Sequence, residues 1–572
     1  MARHLITSAL PYINGVKHIG NLIGSMLPAD VFARFQRQQG HEVIYICATD
    51  DHGTPAELGA AKEGMDVAEY CEKQHRIQAD IYKAFHLSFD HFGRTSAPQN
   101  HELTQHFAKK LMENGYIEER VIKQFYSNTD GRFLPDRYIE GTCPHCGSDR
   151  ARGDQCESCT KVLDPEDLID PRSAISGSTD VELKETKHLF LLQSKLQKDV
   201  ENWVEGKALW PHLVKSIAKK WLTEGLHDRG ITRDLKWGVP VDFPGYEEKV
   251  FYVWFDAPIG YISATKEWSD LQPQQRNWES WWRGADDVTY TQFMAKDNIP
   301  FHTVTFPATI LGSGEDWKMV DFIKGFNWLT YYGDKFSTSR NFGIFTSDAI
   351  ELFPSDYWRY MLLSRAPEGS DSSFTWPDMQ SVVNKDLCDV LGNLVNRTLQ
   401  FSIKRFGAEV PEAGAWTALE ENTLKEAEAA LAEFKTHLSE CEFRKAMASL
   451  RHLWVLGNQY IAEAAPWDAI KQDEPRARAI LNFAMNYIRV IAIASFPVIP
   501  ESSRRMAGFL NVEIDPYQWL GSLAEEMTAL KAGHALEKPE ILFRKIEDEN
   551  VAECEARFGK NEQGKTPETM TA

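Results

Sequence analysis

The chain begins with a strand, a helix and a second strand in close succession. Residues 4–10 and 42–48 are short apolar runs, and residues 21–39 between them have a helical pattern that a glycine ends. A crossover of this length makes the two strands parallel and the connection right-handed. The loops that follow the strands (residues 11–20 and 49–55) therefore open at the carboxyl edge of one sheet, where open α/β sheets bind their ligands.

The pattern changes twice beyond this unit. A polar segment with four cysteines interrupts the alternation over residues 116–230. Strands and helices then alternate again over residues 231–330, with residues 249–256 as the clearest strand. Nearly everything from about residue 386 to residue 550 has the pattern of amphipathic helices. We therefore expect one parallel sheet that an insertion splits, followed by a helical bundle.

Composition and charge narrow the class of protein. Hydrophobic residues make up 43% of the 572 residues and charged residues 26%, which excludes a disordered or collagen-like chain. No stretch approaches the roughly 18 consecutive apolar residues that a membrane span needs, and the apolar run at the N-terminus is too short for a signal peptide. The formal net charge of −20 argues against indiscriminate nucleic-acid binding, so an RNA partner must bind a local basic face.

The four clustered cysteines have the spacing of a metal site. Cys143, Cys146, Cys156 and Cys159 form two C-x2-C pairs, and four thiolates complete a tetrahedral Zn²⁺ site without an open position for substrate. We therefore predict one structural zinc ion; the alternatives are free thiols in a loop, or His145 as a competing ligand. An odd total of nine cysteines argues against a disulfide framework and predicts a reducing, cytoplasmic compartment.

Two further segments suit the binding of phosphates. His18, Gly20 and Asn21 lie at the first strand-to-helix turn, where backbone N–H groups at a helix N-terminus favour an anion such as a triphosphate. Residues 335–340 (Lys-Phe-Ser-Thr-Ser-Arg) follow an aromatic strand and combine cations with three hydroxyls, so this loop can close over phosphates. Taken alone, each segment is more typical of an ordinary surface loop; their order and position favour function.

Together these features resemble the methionyl-tRNA synthetase family of class I aminoacyl-tRNA synthetases. Residues 8–21 are similar to its "HIGH" signature, residues 335–339 to its "KMSKS" loop, and residues 253–261 (Val-Trp-Phe-Asp-Ala-Pro-Ile-Gly-Tyr) to its methionine-pocket motif. The resemblance covers about residues 4–550, with further matches at 50–55, 231–234, 301–302, 393–397 and 465–467.

Three positions depart from the family pattern. Asn21 takes the place of the last signature histidine, Thr338 takes the place of the second signature lysine, and Ala295 replaces a glycine that commonly precedes Lys296 and Asp297. The threonine removes one cation from the pyrophosphate side, so Lys335, with Arg340, must supply that charge.

The resemblance implies a domain organisation. It divides the chain into a Rossmann-like catalytic domain in two halves (1–115 and 231–330), a connective insertion with a zinc knuckle (116–230), a KMSKS-type loop and stem-contact region (331–385), an α-helical anticodon-binding domain (386–550) and a tail that we predict to be disordered (551–572). The chain ends before the additional dimerisation domain that many family members carry, so we expect a monomer without membrane association.

The implied reaction has two steps and serves translation initiation and elongation. The carboxylate of L-methionine attacks the α-phosphorus of ATP-Mg²⁺, which releases pyrophosphate and leaves methionyl-adenylate. The 3′-terminal ribose of tRNA(Met) then takes the methionyl group. No protein nucleophile is required, so the enzyme acts by positioning and by electrostatic stabilisation.

The resemblance also assigns residues to roles. Asp50 receives the α-ammonium group, aromatic rings surround the thioether, and the Tyr261 hydroxyl lies near the sulfur and discriminates against other side chains. Outside the family pattern, the aromatic residues would be taken for core and the polar residues of the helical region for surface. The implied sets are His18, Asn21, Lys335 and Thr338 for catalysis; Leu10, Tyr12, Asp50, Trp254, Ala257, Pro258, Tyr261 and His302 for methionine; His18, Gly20, Asn21, Arg233, Asp297, Lys335 and Thr338 for ATP; and Asn393, Arg397 and Trp467 for the anticodon, with Lys404 and Arg405 near tRNA phosphates.

Two other functions fit parts of the sequence. One is a class I synthetase for another small apolar or sulfur-containing amino acid, although the chain is short for the large editing insertion of the isoleucine, valine and leucine enzymes. The other is a zinc-knuckle RNA-binding protein that kept an α/β scaffold without catalysis. Amino-acid-dependent exchange of pyrophosphate into ATP distinguishes the three.

Overall fold

The computed structural model describes residues 1–559 apart from residues 150, 154–155, 157, 160, 162, 339–340 and 516. The N-terminal part has the predicted alternation of strands and helices. Its elements are β1 (Arg3–Ser8), α1 (Ile19–Asn21), a π-helical turn (Leu22–Met26), α2 (Leu27–Gln38), β2 (Glu42–Thr49), α3 (Thr54–Glu63), α4 (Val67–Ala84), β3 (His91–Arg94) and α5 (Pro98–Glu113).

The insertion is built on a long antiparallel pair, β4 with β9, that carries a small three-stranded sheet at its far end. Its elements are β4 (Ile117–Ser127), β5 (Arg132–Phe133), a 3-10 turn (Asp136–Tyr138), β6 (Ile139–Thr142), β7 (Ala151–Arg152), a second 3-10 turn (Pro165–Asp167), β8 (Ile169–Ser173), β9 (Val181–Leu191), α6 (Gln193–Glu205), α7 (His212–Glu224) and β10 (Arg229–Gly230).

The α/β pattern then returns, but the predicted strand at residues 249–256 is wrong. Only Val250–Phe251 is a strand, and Val253–Asp256 is a helical turn. The run is apolar because its rings are buried on several sides, and such a run does not distinguish a buried strand from a buried helix. The elements are β11 (Thr232–Arg233), β12 (Val250–Phe251), α8 (Val253–Asp256), α9 (Gly260–Asp270), α10 (Glu279–Trp282), β13 (Val288–Ala295), a π-helical turn (Phe301–Thr305), α11 (Phe306–Ser313), β14 (Phe322–Phe326), β15 (Leu329–Tyr331) and β16 (Asp334–Lys335).

The remaining chain is mostly helical, as predicted. Helix α19 is long and apolar enough to cross a membrane by length and composition, but 89% of its most apolar window is buried inside the protein, so it is a core helix. The elements are α12 (Thr346–Leu352), α13 (Ser355–Ser364), β17 (Ser372–Phe374), α14 (Trp376–Val382), a π-helical segment (Val383–Gly392), α15 (Asn393–Phe406), α16 (Ala418–Ser439), α17 (Phe443–Ala464), α18 (Pro466–Ala469), α19 (Glu474–Ser495), α20 (Pro500–Phe509), α21 (Leu523–Glu526) and α22 (Asp548–Phe558).

Helix α22 corrects the predicted start of the disordered tail at residue 551. Cys554 and Phe558 are buried, and the Phe558 ring packs against Trp376 with the centroids 5.7 Å apart. The apolar contacts offset the entropy lost on ordering this segment. Residues 560–572 lie outside the described residues, and disorder there stays a prediction.

The central sheet joins both halves of the split domain. Its five strands are all parallel, in the order β14-β13-β1-β2-β3, so β1 pairs with β2 on one side and with β13, beyond the insertion, on the other. This confirms the predicted Rossmann-like sheet and its interruption. The carboxyl ends of β1, β2 and β13 lie side by side, which brings the loops after residues 8, 49 and 295 to one edge.

A buried ion pair ties the sheet domain to the helical part. Arg359 is fully buried, and its Nη2 atom lies 2.7 Å from an Asp30 carboxylate oxygen on α2. The same guanidinium donates to the backbone carbonyls of Phe85, Pro497 and Val498. With four of its five N–H donors bonded across three segments, Arg359 fixes how the helical bundle sits behind the sheet.

Candidate active site

A cavity of about 320 Å³ opens at the carboxyl edge of the sheet. The loop after β1, the start of the first helix, the loop after β13, the loop between β14 and β15, and the residues at the end of β16 form its walls. Its lining residues are Ala9, Leu10, Pro11, His18, Gly20, Asn21, Gly24, Ser25, Met26, Ala295, Asp297, Asn298, Asn327, Trp328, Leu329, Lys335 and Phe336. The cavity therefore brings together five of the residues that the family resemblance assigns to ATP: His18, Gly20, Asn21, Asp297 and Lys335.

His18 caps the first helix in a defined tautomer. Its Nδ1 atom accepts from the Asn21 backbone N–H at 3.3 Å, and the Asn21 side chain accepts in return from the His18 backbone N–H. Burial, with Lys17 next to it, lowers the pKa of His18 to about 3, so the imidazole is neutral. Because Nδ1 accepts, the proton is on Nε2, which makes that atom a hydrogen-bond donor.

The loop after β16 packs directly onto this histidine. The Phe336 ring stacks on His18 with a centroid distance of 4.7 Å, and the Lys335 ammonium lies 4.0 Å above the Trp328 ring. Gly343 has a φ of +104°, and a Cβ there would collide with the Phe336 ring, so only glycine allows this packing. Thr338 is described but does not line the cavity; Ser339 and Arg340 lie outside the described residues.

Asp50, the residue directly after β2, has an unsatisfied buried oxygen. The residue is 3% exposed, and its Oδ1 atom has no hydrogen-bond partner among the described residues. Burial raises the pKa of Asp50 well above its usual range, and the neighbouring carboxyl groups of Asp256 and Asp51 raise it further. A buried acceptor without a partner costs free energy unless a ligand donates to it. A cationic donor is the best match.

Three aromatic rings stand beside this carboxyl group. Trp254 on α8 stacks on Phe301 at a centroid distance of 4.0 Å, and Tyr12 meets the Trp254 ring edge-on at 5.9 Å. An isolated β-bridge joins the backbones of Tyr12 and Asp50, so the ring and the carboxyl group belong to neighbouring loops. The geometry suits a small ligand with a cation at one end and an apolar group at the other.

The polar end of this aromatic pocket is a Tyr261–His302 pair. The Tyr261 hydroxyl lies 2.7 Å from His302 Nε2, and His302 Nδ1 lies 2.8 Å from the Asn298 carbonyl oxygen. A carbonyl only accepts, so Nδ1 carries the proton and Nε2 accepts from Tyr261; burial lowers the pKa of His302 to about 4 and keeps it neutral. The Tyr261 hydroxyl, which the resemblance places near the sulfur, thus donates its proton to His302.

Lys17 is a functional candidate that the sequence did not indicate. It is 5% exposed, and among the described residues its ammonium donates only to Asn14 Oδ1, at 2.8 Å, with no carboxylate within 4 Å. Burial lowers the pKa of Lys17 to about 7, and Asp50 opposes the shift. Lys17 differs little from any surface lysine in the sequence, so only the fold reveals its burial.

Arg233 does not line the cavity around His18. It lines a second, smaller cavity that Tyr12 and Trp254 also line, with its guanidinium carbon 3.6 Å from the centroid of the Tyr252 ring. The predicted contact between Arg233 and ATP therefore stays a prediction.

The predicted anticodon residues lie on the helical bundle. Asn393 and Arg397 share one face of α15, one turn apart. The Arg397 guanidinium lies 4.7 Å from the centroid of the Trp467 ring, which is half-buried on α18. Lys404 and Arg405 are exposed at the end of the same helix. The fold therefore presents an aromatic ring, an amide and several cations on one exposed region.

The four cysteines of the insertion converge as their spacing predicts. Their sulfur atoms all lie within 4.8 Å of one another, with 3.8 Å between Cys143 and Cys159 and 3.7 Å between Cys146 and Cys156. A tetrahedron with Zn–S bonds of about 2.3 Å has edges of about 3.8 Å, so the donor set fits the ion. His145 is exposed and is not part of this group.

Comparison with known proteins matches both parts of the chain to one family. A family model described as "tRNA synthetases class I (M)" matches residues 4–399, and one described as "Anticodon binding domain of methionyl tRNA ligase" matches residues 410–563. The methionine–tRNA ligase of Streptomyces avermitilis is 59% identical, with 98% of this chain and 99% of the relative aligned. That of Ruegeria sp. (strain TM1040) is 57% identical over the same shares.

A solved structure supports the same relationship. Mycobacterium tuberculosis methionyl-tRNA synthetase in complex with methionyl-adenylate superposes with a TM-score of 0.76 at 25% identity, covering 95% of this chain and all of the other. The likeness therefore extends through both the sheet domain and the helical bundle.

Proposed function

The chain belongs to the methionyl-tRNA synthetase family of class I aminoacyl-tRNA synthetases, and from this premise we propose how its residues perform the reaction. The enzyme activates L-methionine with ATP to methionyl-adenylate and pyrophosphate, and it transfers the methionyl group to tRNA(Met). The observation that carries our residue assignment is the buried, unpaired Asp50 oxygen; a β-bridge joins Asp50 to Tyr12, whose ring packs against Trp254.

In the first step, Asp50 orients the amino acid. Its unsatisfied carboxylate oxygen accepts from the α-ammonium group, and the two charges compensate each other in a site closed to water. Trp254, Tyr12 and the remaining predicted pocket residues then surround the side chain. The substrate carboxylate points toward the cavity that His18 lines, where it attacks the α-phosphorus of ATP. Lys17 is a buried cation close to Asp50 and to this substrate carboxylate.

The nucleotide lies in the cavity at the edge of the sheet. The Nε2–H group of His18 donates to phosphate oxygens, Asn21 and the helix N-terminus support the same charge, and Lys335 adds a cation. Asp297 holds the ribose. ATP binds as its Mg²⁺ complex, in which the ion neutralises charge on the phosphates.

Selection of methionine rests on the pocket's chemistry. Each sulfur–aromatic contact is worth about 0.3–1.5 kcal/mol, and a methylene group in an apolar pocket about 1–3 kcal/mol. The Tyr261–His302 pair adds a fixed polar boundary, with the hydroxyl oxygen rather than its proton facing the ligand. A side chain with a hydrogen-bond donor at that position would gain a contact with the hydroxyl oxygen. Burying its polar group among the aromatic rings would, however, cost free energy.

The experiment that tests this function is pyrophosphate exchange into ATP, measured with each of the twenty amino acids. Exchange with methionine alone is the expected result. Exchange with another amino acid would show that this amino acid is the substrate. If no amino acid supported exchange, the protein would be an RNA-binding protein with a synthetase scaffold.

For tRNA, we propose that Trp467 stacks on an anticodon base while Asn393 and Arg397 contact base edges. Stacking of one base on an aromatic ring is worth about 1–3 kcal/mol. Trp467→Ala therefore lowers kcat/KM for tRNA charging by about 10- to 100-fold, while methionine-dependent pyrophosphate exchange is unchanged. Trp467→Phe keeps a ring and retains most of the charging activity. Normal charging by Trp467→Ala would show that Trp467 does not contact the anticodon.

We propose that the four cysteines bind one structural Zn²⁺ ion. The surrounding cluster of buried residues in the insertion is small, and small cores commonly need a metal to stay folded. Cys143→Ser is expected to lower the bound zinc from one equivalent to below about 0.1 and to make the insertion sensitive to protease. Cys388→Ser, a half-buried thiol outside the cluster, is the matched control and keeps its zinc. Stoichiometric metal in Cys143→Ser would refute the four-thiolate site.

We also propose that the enzyme acts as a monomer in the cytoplasm. All nine cysteines are described and are free thiols, as a reducing compartment favours.

A further inference from the structure

A buried hydrogen bond joins the two segments that form opposite ends of the proposed amino-acid site. His52 follows Asp50 by two residues, and Asp256 is the last residue of α8, the helical turn that carries Trp254. His52 Nδ1 lies 2.8 Å from Asp256 Oδ2, and both side chains are almost completely buried. Neither residue belongs to the sets assigned above to methionine or ATP.

A second donor holds the Asp256 carboxyl group in place. Asn100 Nδ2 donates to the same Asp256 oxygen at 3.1 Å and to the Thr95 carbonyl oxygen at 2.9 Å. Burial raises the pKa of Asp256, whereas the His52 ring and the Asn100 amide lower it. Both donors favour the carboxylate form, which only accepts hydrogen bonds, so the proton of the shorter bond is on His52 Nδ1.

The backbone after Asp50 also packs closely against the start of α8. Gly53 has a φ of +90°, and a Cβ built there would lie 3.3 Å from a methyl carbon of Val253. A side chain at position 53 would therefore be strained and crowded, and glycine allows the close approach. The His52–Asp256 bond lies beside this contact and adds a directional link between the same two segments.

The distance between these two segments determines which amino acid fits. In the proposed function the α-ammonium group binds Asp50, and the thioether packs against Trp254, so methionine spans both segments. The length of side chain that makes both contacts depends on where α8 lies relative to Asp50. Binding groups keep a fixed geometry when hydrogen bonds behind them hold their supports in place.

We propose that His52 and Asp256 are positioning residues that set the length of the amino acid that the enzyme activates. The inference rests on the proposed function and adds a determinant of specificity behind the wall of the pocket. Their hydrogen bond keeps α8 against the segment after Asp50, so the space between Asp50 and Trp254 fits methionine. Without the bond, α8 moves away more easily, and a longer side chain is accepted at the expense of methionine.

The test compares methionine with ethionine, whose S-ethyl group adds one methylene. The measured quantity is the ratio of their kcat/KM values in pyrophosphate exchange, which does not depend on how much of the enzyme is folded. One methylene in a fitted apolar pocket changes kcat/KM by about 10- to 200-fold, so the wild type prefers methionine by a factor in this range.

Two amide variants of His52 form a matched pair. His52→Asn places an amide N–H where Nδ1 lies and keeps the ratio within about threefold of the wild type. His52→Gln keeps a polar side chain in the same buried place but moves its N–H away from Asp256. We expect His52→Gln to prefer methionine by less than about threefold.

Two variants of Asp256 test the bond from its other side. Asp256→Ala removes the acceptor and lowers the ratio as His52→Gln does, and combining the two substitutions lowers it no further, because both break one bond. Asp256→Asn keeps an oxygen acceptor and retains the ratio. It also removes a charge that, in addition to burial, raises the pKa of Asp50, so a lowered ratio in Asp256→Asn would show that charge and not spacing sets the selectivity.

His106→Gln is the control, since His106 makes the same kind of bond, with Nε2 2.7 Å from a Glu315 oxygen, and lines neither cavity described above. It keeps the wild-type ratio. An unchanged ratio in His52→Gln and Asp256→Ala would overturn the inference. Equal losses of kcat/KM for both amino acids would do the same, because they would show a purely structural role. Failure of methionine-dependent exchange in the wild type would instead refute the proposed function.

Discussion

Asp50→Asn raises KM for methionine by about 30-fold or more and leaves KM for ATP within about twofold. The substitution keeps the size of the side chain but removes the charge that meets the α-ammonium group. Truncating one partner of a buried charge pair costs about 2–5 kcal/mol, and each 1.4 kcal/mol is tenfold. Pyrophosphate exchange over a range of methionine and ATP concentrations measures both constants.

The control for this variant is the methionine analogue without an α-amino group. Asp50→Asn and wild type bind it equally, because the lost contact is absent in both. In the wild type, methionine binding also weakens as the pH falls, since burial raises the pKa of Asp50 and only the ionised carboxylate holds the ammonium group. This pH dependence disappears in Asp50→Asn. Equal increases in the Michaelis constants for methionine and ATP would show that Asp50 does not bind the α-ammonium group.

His18→Ala lowers kcat for pyrophosphate exchange by about 100- to 1,000-fold, the usual cost of removing one donor to developing charge. The KM for methionine changes little, since His18 contacts the phosphates. Because the pKa of His18 is about 3, the imidazole stays neutral between pH 5 and pH 9. The dependence of kcat on pH therefore has the same shape in the wild type and in His18→Ala over this range.

His18→Asn separates the two roles of the histidine. Asparagine caps helix N-termini well, so it replaces the Nδ1 acceptor but does not extend a donor to the position of Nε2. We expect its kcat to stay within about tenfold of the alanine variant. Recovery of wild-type kcat in His18→Asn would show that the cap, and not the donor, is what catalysis needs.

Much of the fold was predictable because its signals are local. The strand–helix–strand unit at the N-terminus and the helix at Phe443–Ala464 follow from apolar periodicity, and their structure confirms the prediction. The segment at residues 249–256 was predicted as a strand, but it is helical at Trp254. The prediction failed because a short apolar run that is buried on several sides shows no helical period. Helix α22 was missed because two apolar residues, Cys554 and Phe558, order it only through contacts with distant parts of the chain.

The structure brings several of the predicted site residues to one cavity, but their proton positions could not be predicted from the sequence. Short motifs identified His18, Asp50 and the rings of the pocket. The Nε2–H tautomer of His18 depends on the Asn21 backbone, and the hydrogen bond from Tyr261 to His302 depends on the Asn298 carbonyl. The bonds to Asn21 and Asn298 depend on the local backbone conformation, and the bond from Tyr261 to His302 depends on two distant segments that meet, so all three follow from the fold. The burial of Lys17 and the second cavity belong to the same class.

The most direct measurement is a crystal structure of the enzyme with a non-hydrolysable analogue of methionyl-adenylate. We expect the α-ammonium group within hydrogen-bonding distance of Asp50 Oδ1, the thioether among Tyr12, Trp254 and Tyr261, and the phosphate near His18 Nε2. An analogue bound elsewhere, or one whose ammonium group leaves the Asp50 oxygen without a partner, would refute these assignments.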